Sequence, residues 1–107
     1  MDKTQARYNP KSFASIMQAI YTLMSAEIEP GSETMRKLHQ QHVRLRAKIQ
    51  AAYNSQPTGP EKGKDNLPVA AIAMVALRRV EEGYSMEAIL DLSKGKLLKL
   101  ARKGLEK

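Results

Sequence analysis

SFASIMQAIYTLMSAEI, residues 12–28, is the clearest helical pattern in the chain. Apolar side chains recur there mostly at steps of three and four, which places them on one face of an α-helix. Ser12 is suited to cap this helix, because its side-chain oxygen can accept a hydrogen bond from a first-turn amide. Pro30 and Gly31 interrupt the pattern. The sequence therefore predicts an amphipathic helix over 12–28.

A second helix is predicted over 33–53. Ser32 supplies its cap, and Glu33 places a negative charge at the positive end of the helix dipole. Its apolar seam has near-heptad spacing and consists of Met35, Leu38, His42, Leu45, Ile49 and Ala52. We expect this seam to pack against the first helix as a hairpin over 12–53. Pairing of the seam with a second copy in a homodimer is the alternative.

The C-terminal part, 68–107, reads as three further helices. Residues 69–77 carry no charge and are apolar on every side, which is typical of a buried central helix, predicted over 68–82. A short helix with Ser85 as its cap is predicted over 86–92. A basic helix is predicted over 96–103, with Ser93-Lys94-Gly95 as the turn between the two. Residues 1–11 are expected to form a flexible arm and 54–67 a loop, because both stretches are poor in apolar side chains.

These patterns together predict an all-α fold of four to five short helices. The chain has 107 residues, 42% of them hydrophobic, and no stretch alternates with the period of a β-strand. That length suits one helical domain over 1–107. It would hold an N-terminal helical hairpin and a C-terminal unit of three helices.

Residues 75–103 resemble a helix-turn-helix motif, in which the second of two paired helices enters the major groove of DNA. The resemblance is carried by EEGYSMEAILDL, residues 81–92, followed by a turn and a basic helix. The basic helix offers lysines and an arginine but none of the Ser, Thr, Gln or Asn side chains that read bases. It is therefore expected to contact phosphates rather than bases. Two short packing helices are the alternative interpretation.

The net charge of +7 is concentrated in two segments, because residues 32–56 carry +4 and residues 93–107 carry +5. Clustered Lys and Arg side chains favour binding to a polyanion through its phosphates. The candidate contacts are Lys94, Lys96, Lys99, Arg102 and Lys103, supported by Arg36, Lys37, Arg44 and Lys48. Lysines that solvate exposed helix faces are the main alternative, and an anionic membrane surface is a further one.

Other kinds of function find little support in the sequence. Cysteine is absent, which excludes disulfides and thiolate chemistry, and no Ser/His/acid arrangement suggests nucleophilic catalysis. His39 and His42 lack the further ligands that a zinc site needs; His42 is expected to be half-buried and His39 exposed. We predict neither an enzyme nor a cofactor. The chain has no apolar run long enough for a membrane span, and no signal-peptide pattern, so a cytoplasmic location is expected.

The sequence thus predicts a small, basic, non-enzymatic protein that binds nucleic acid or associates with it as a regulator, for example of transcription. A helical adaptor or inhibitor that binds a protein partner through the seam or basic face of the second helix is the alternative.

Overall fold

The computed structural model describes residues 12–56 and 66–105, and this part of the chain is helical with no strand. Its five helices are α1 (Phe13–Ser25), α2 (Glu33–Asn54), α3 (Val69–Glu81), α4 (Met86–Leu90) and α5 (Lys94–Leu105). The predicted all-α class is confirmed. The predicted flexible arm, 1–11, and the middle of the predicted loop, 57–65, lie outside the described residues.

Serine caps set the beginnings of α1, α2 and α4. The hydroxyl oxygens of Ser12, Ser32 and Ser85 each accept a hydrogen bond from the backbone amide three residues later, at 3.1–3.2 Å. Each bond satisfies an amide that has no partner within the helix. Gly31 and Gly83 follow helices with φ of 79° and 96°, a region that favours glycine. The capping residues expected from the sequence therefore act where they were predicted.

Several boundaries differ from the prediction: α3 covers 69–81 rather than 68–82, α4 ends at Leu90 rather than at 92, and α5 covers 94–105 rather than 96–103. The helix predicted over 12–28 ends at Ser25, because the amides of Ala26 and Ile28 turn to carbonyls only three residues earlier. The predicted turn at 93–95 is wrong in its register. Ser93 caps α5 by accepting a hydrogen bond from the Lys96 amide at 3.1 Å, so Lys94 and Gly95 already belong to its first turn.

α3 lies at the centre of the molecule and contacts each of the other four helices. Its buried side chains include Ile72, Ala73, Ala76 and Leu77, all at most 1% exposed, as expected for a helix that is apolar on every side. The predicted contact between α1 and α2 is present, but α1 packs more extensively against α3. Small alanine side chains on α3 let the neighbouring helices approach closely.

The seam of α2 is enclosed by the chain itself. Leu38, Leu45, Ile49 and Ala52 are at most 4% exposed and join a hydrophobic cluster to which all five helices contribute. A second copy or a protein partner cannot reach these four side chains while the chain stays folded. Binding through the seam would therefore require the helices to separate.

A buried glutamine closes the gap between α2 and α3. The Gln56 side chain is 7% exposed; its Oε1 accepts a hydrogen bond from the Leu67 amide at 2.8 Å, and its Nε2 donates to the Leu67 carbonyl at 3.0 Å. One side chain thereby satisfies both backbone groups of a buried residue. The two described ends of the predicted loop 54–67 are thus fixed to each other.

Candidate nucleic-acid interface

α5 presents one apolar face to the core and a basic face to solvent. Leu97 is fully buried and Ala101 is 4% exposed, so these side chains anchor the helix. The five predicted contacts on this helix are all exposed: Lys94, Lys96, Lys99, Arg102 and Lys103. The sequence between Ser93 and Gly104 contains no acidic residue. The stretch of α5 from Lys94 to Lys103 therefore contains only positive charges.

Three of the α5 cations form one stripe along the helix. Lys96, Lys99 and Lys103 follow one another at steps of three and four residues, which places them on one side of the helix. Lys103 is the member of this stripe that borders α3, next to Leu100. The ion pairs found among the described residues are Arg36–Glu33 and Arg79–Glu82, and no α5 lysine takes part in them.

Lys48 of α2, a predicted phosphate contact, is turned towards the protein. Its ammonium donates hydrogen bonds to the carbonyl oxygens of Leu90 and Leu92, both at 2.7 Å, and the residue is half-buried. These carbonyls lie at the C-terminal end of α4, where a cation is favourable. The hydrogen-bonding capacity of Lys48 is thus largely used within the fold.

The other α2 cations fall on different sides of the helix. Lys37 and Arg44 are exposed and share the edge that also carries Gln41 and Lys48, which faces α4 because Gln41 donates to the Glu87 carboxylate at 3.3 Å. Arg36 lies away from this edge and pairs with Glu33 at 3.6 Å, with both side chains largely exposed. The predicted α2 group is therefore divided rather than brought together.

The two basic segments approach each other at one end of α5. Lys48 contacts Leu92, which precedes the first turn of α5, so the middle of α2 lies beside the beginning of that helix. Arg44 is one turn before Lys48, and Lys94 follows Leu92 closely in the chain. The exposed carboxylates of Glu87 and Asp91 on and after α4 lie in the same region. The basic surface is consequently strongest along α5 and is interrupted at α4.

The structure does not confirm the resemblance to a helix-turn-helix over 75–103. α4 has only five residues and packs mainly against α2, with a smaller contact to α3. In a helix-turn-helix the short helix supports the recognition helix that follows it. This part of the sequence-based interpretation stays a prediction.

The two histidines lie where the sequence placed them. His42 is half-buried between α1 and α2, where its Nε2–H donates to the Met17 carbonyl at 2.8 Å and its ring meets the Tyr21 ring edge-on at 5.2 Å between centroids. His39 is exposed. Within 12–56 and 66–105 no group of three or more His, Asp or Glu side chains could hold a metal ion.

Sequence reasoning missed an open groove between α3 and α5, with a volume of about 370 Å³. The α3 side of this groove consists of Ala71, Met74, Val75, Arg78, Arg79 and Glu82; the α5 side consists of Leu100, Ala101, Lys103 and Gly104. The spacing of the α3 residues, at steps of three and four, could have indicated a separate face. The uniformly apolar sequence of 69–77 instead suggested a helix covered on every side.

Comparisons with protein-family models, with curated proteins and with solved structures find no match to this chain. No helix in the described part of the chain is both long enough and apolar enough to cross a membrane.

Proposed function

We propose that this protein binds nucleic acid without enzymatic activity, through phosphate contacts made by the exposed cations of α5. One observation carries the proposal. A helix anchored by Leu97 and Ala101 exposes five cationic side chains and has no acidic residue along its basic stretch. We also propose, as the sequence predicts, that the protein is cytoplasmic and acts as a regulator.

The dimensions of α5 suit contact with several phosphates at once. Its 12 residues span about 18 Å, a length over which duplex DNA carries about ten phosphate charges. Lysine is a flexible point charge, and α5 has no Asn, Gln, Ser or Thr that could hydrogen-bond to base edges. We therefore expect binding with little sequence preference and a strong dependence on salt.

α2 supplies a supporting part of the same proposed surface. Lys37 and Arg44 are exposed on the edge of α2 that faces α4, and Arg44 lies near the beginning of α5. Arg36 has an exposed partner in Glu33, and an exposed pair of this kind is easily exchanged for a phosphate. Lys48 adds positive charge near Lys94, although its hydrogen bonds go to backbone carbonyls.

Fluorescence anisotropy with a labelled, mixed-sequence DNA duplex tests the proposal over a range of salt concentrations. We expect the logarithm of the affinity to fall linearly with the logarithm of salt concentration, by about 0.9 for each phosphate contact. Replacing two α5 lysines, Lys96→Gln with Lys99→Gln, should reduce this slope by about 1.8. If the unaltered protein does not bind the duplex at low salt, the proposal that it binds duplex DNA is refuted.

A second pair of substitutions controls for net charge. Ala14→Glu with Gln18→Glu also lowers the net charge by two, but it alters exposed positions on α1, which packs against α3 and α2. We expect this control to retain a salt slope close to that of the unaltered protein. Equal losses in the two double variants would show that total charge, rather than α5, determines binding.

A further inference from the structure

We propose that the groove between α3 and α5 docks an acidic, amphipathic segment of a protein partner. The groove shares only Lys103 with the proposed phosphate contacts, so docking in it can be tested separately from nucleic-acid binding. It also differs from the adaptor surface expected on the α2 seam, because that seam is enclosed in the core. The occupant is defined by two features of the groove, its apolar floor and its cationic rim.

The floor of the groove offers apolar contact along one face of α3. Ala71 and Met74 are half-buried, Val75 is 8% exposed, and Leu100 of α5 borders them from the opposite side. Met74 has an unbranched, adaptable side chain that can repack around an incoming group. A partner that places aliphatic side chains here would remove the remaining apolar surface from water.

The rim of the groove is positively charged. Arg78, Arg79 and Lys103 supply three cations against the single carboxylate of Glu82. A terminal nitrogen of Arg78 reaches Gly104 on α5 so closely that a β-carbon built there would lie 3.7 Å from it. Arg78 therefore extends across one end of the groove, where it would meet a carboxylate of the occupant.

Arg79 connects this groove to a second hollow. Its guanidinium stacks over the Tyr84 ring, 4.8 Å from the centroid, and lies 3.7 Å from the Glu82 carboxylate. Arg79, Tyr84, Ala88, Ile89 and Leu92 line this hollow, which has a volume of about 230 Å³. Tyr84 is 46% exposed, a high value for a large apolar side chain. A bound segment can thus place apolar anchors on both sides of Arg79 and an acidic residue between them.

These features favour a peptide over a nucleic acid. Along α3 the groove extends from Ala71 to Glu82, about 16 Å, which matches about three turns of a docked helix. Amphipathic helices bind such grooves through apolar anchors at i, i+3, i+4 and i+7. A phosphate backbone provides charge but no aliphatic anchors for Met74 and Val75. An acidic amphipathic peptide provides both aliphatic side chains for the floor and carboxylates for the cationic rim.

The probe is a fluorescein-labelled helical peptide with leucines at i, i+3, i+4 and i+7 and glutamates at the other positions. The control peptide carries lysines in place of the glutamates. We expect anisotropy to show binding of the acidic peptide, and at least tenfold weaker binding of the basic one, because it opposes the rim with like charge. Binding of both peptides with equal affinity would overturn the proposal.

Charge-reversed variants then locate the site. Arg78→Glu should weaken binding of the acidic peptide about tenfold. Arg46→Glu makes the same change on the α1 side of α2 and should leave the affinity of the peptide within about twofold. Both residues are exposed, and circular dichroism checks that both variants remain helical. Equal peptide affinities for these two variants would contradict docking in this groove.

The test also separates this inference from the proposed function. Lys96→Gln with Lys99→Gln should weaken DNA binding and leave peptide binding within about twofold, because neither lysine lines the groove. If Arg78→Glu weakens DNA binding and does not change peptide binding, the groove is an extension of the nucleic-acid surface and the peptide proposal fails.

Discussion

Polar side chains serve different purposes in α2 and in α5. Lys48 of α2 and Gln56, just beyond its end, both hydrogen-bond to the backbone of later segments, at Leu90 and Leu92 and at Leu67. The lysines of α5 are exposed, and no ion pair with a described acidic side chain involves them. The same residue type thus stabilises the fold at Lys48 of α2 and is exposed to a ligand along α5.

This difference arises from what lies beside each helix edge. The edge of α2 that carries Lys48 faces the end of α4, where carbonyl groups have no partner within the helix. The outer side of α5 faces solvent. Spacing along a helix determines which residues share a face, and the neighbouring element determines whether a cation on that face is used internally.

The largest effect is expected at Gln56. Gln56→Met keeps the size of the side chain but leaves the buried amide and carbonyl of Leu67 without their partners, which costs about 3 kcal/mol in the free energy of unfolding. Urea denaturation followed by circular dichroism measures this loss. The exposed control on α2, Gln40→Met, should change stability by less than about 0.5 kcal/mol. A loss no larger than that of the control would show that water replaces the glutamine freely.

A somewhat smaller loss is expected when Lys48 is replaced. Lys48→Met removes two charge-assisted hydrogen bonds and should lower the free energy of unfolding by about 2 kcal/mol. Lys99→Met, the matched change on α5, should have little effect because that side chain is exposed. Thermal unfolding of both variants provides the comparison. If the midpoint temperature of unfolding falls equally in the two variants, Lys48 does not stabilise the fold more than the exposed Lys99 does.

In DNA binding the order of the effects is reversed: replacing a lysine of α5 should have a larger effect than replacing Lys48 of α2. Lys96→Gln removes one proposed phosphate contact and should lower the salt slope by about 0.9, which is roughly a threefold change between about 50 and 200 mM salt. Lys48→Gln should change the slope by much less, because its ammonium is bonded to carbonyl oxygens. Anisotropy below the unfolding temperature of both variants measures this difference. Equal reductions would indicate that Lys48 turns outward to contact phosphate.

Much of the fold could be predicted from the sequence, because it depends on local signals. Ser12, Ser32 and Ser85 cap helices as expected, and the apolar stretch at 69–77 forms part of the central helix. The register of the α4–α5 turn could not be predicted, since a serine followed by Lys-Gly fits either a turn or a helix start. Only the position of the Lys96 amide distinguishes the two.

The candidate site was less predictable, because it depends on contacts between distant segments. Exposure of the α5 cations follows from their spacing around Leu97 and Ala101. The internal bonds of Lys48 join residues more than 40 positions apart, and no local pattern indicates them. The groove depends in the same way on the packing of α5 against α3, which places Arg78 beside Gly104.

The smallest expected effect tests the backbone of the two helices. α5 contains Gly95 and Gly104, whereas α2 contains no glycine, so α5 has the lower intrinsic helix stability. Gly95→Ala should raise the free energy of unfolding by about 0.5 kcal/mol, since no atom lies within 4 Å of the added β-carbon and alanine favours the helix. DNA affinity should not change, because every cation is retained.

Gly83→Ala is the control with the opposite sign. Its φ of 96° strains alanine, so this substitution should lower the free energy of unfolding by about 1 kcal/mol. Urea denaturation of the two variants compares them, and a loss of stability in Gly95→Ala would show that the first turn of α5 requires glycine.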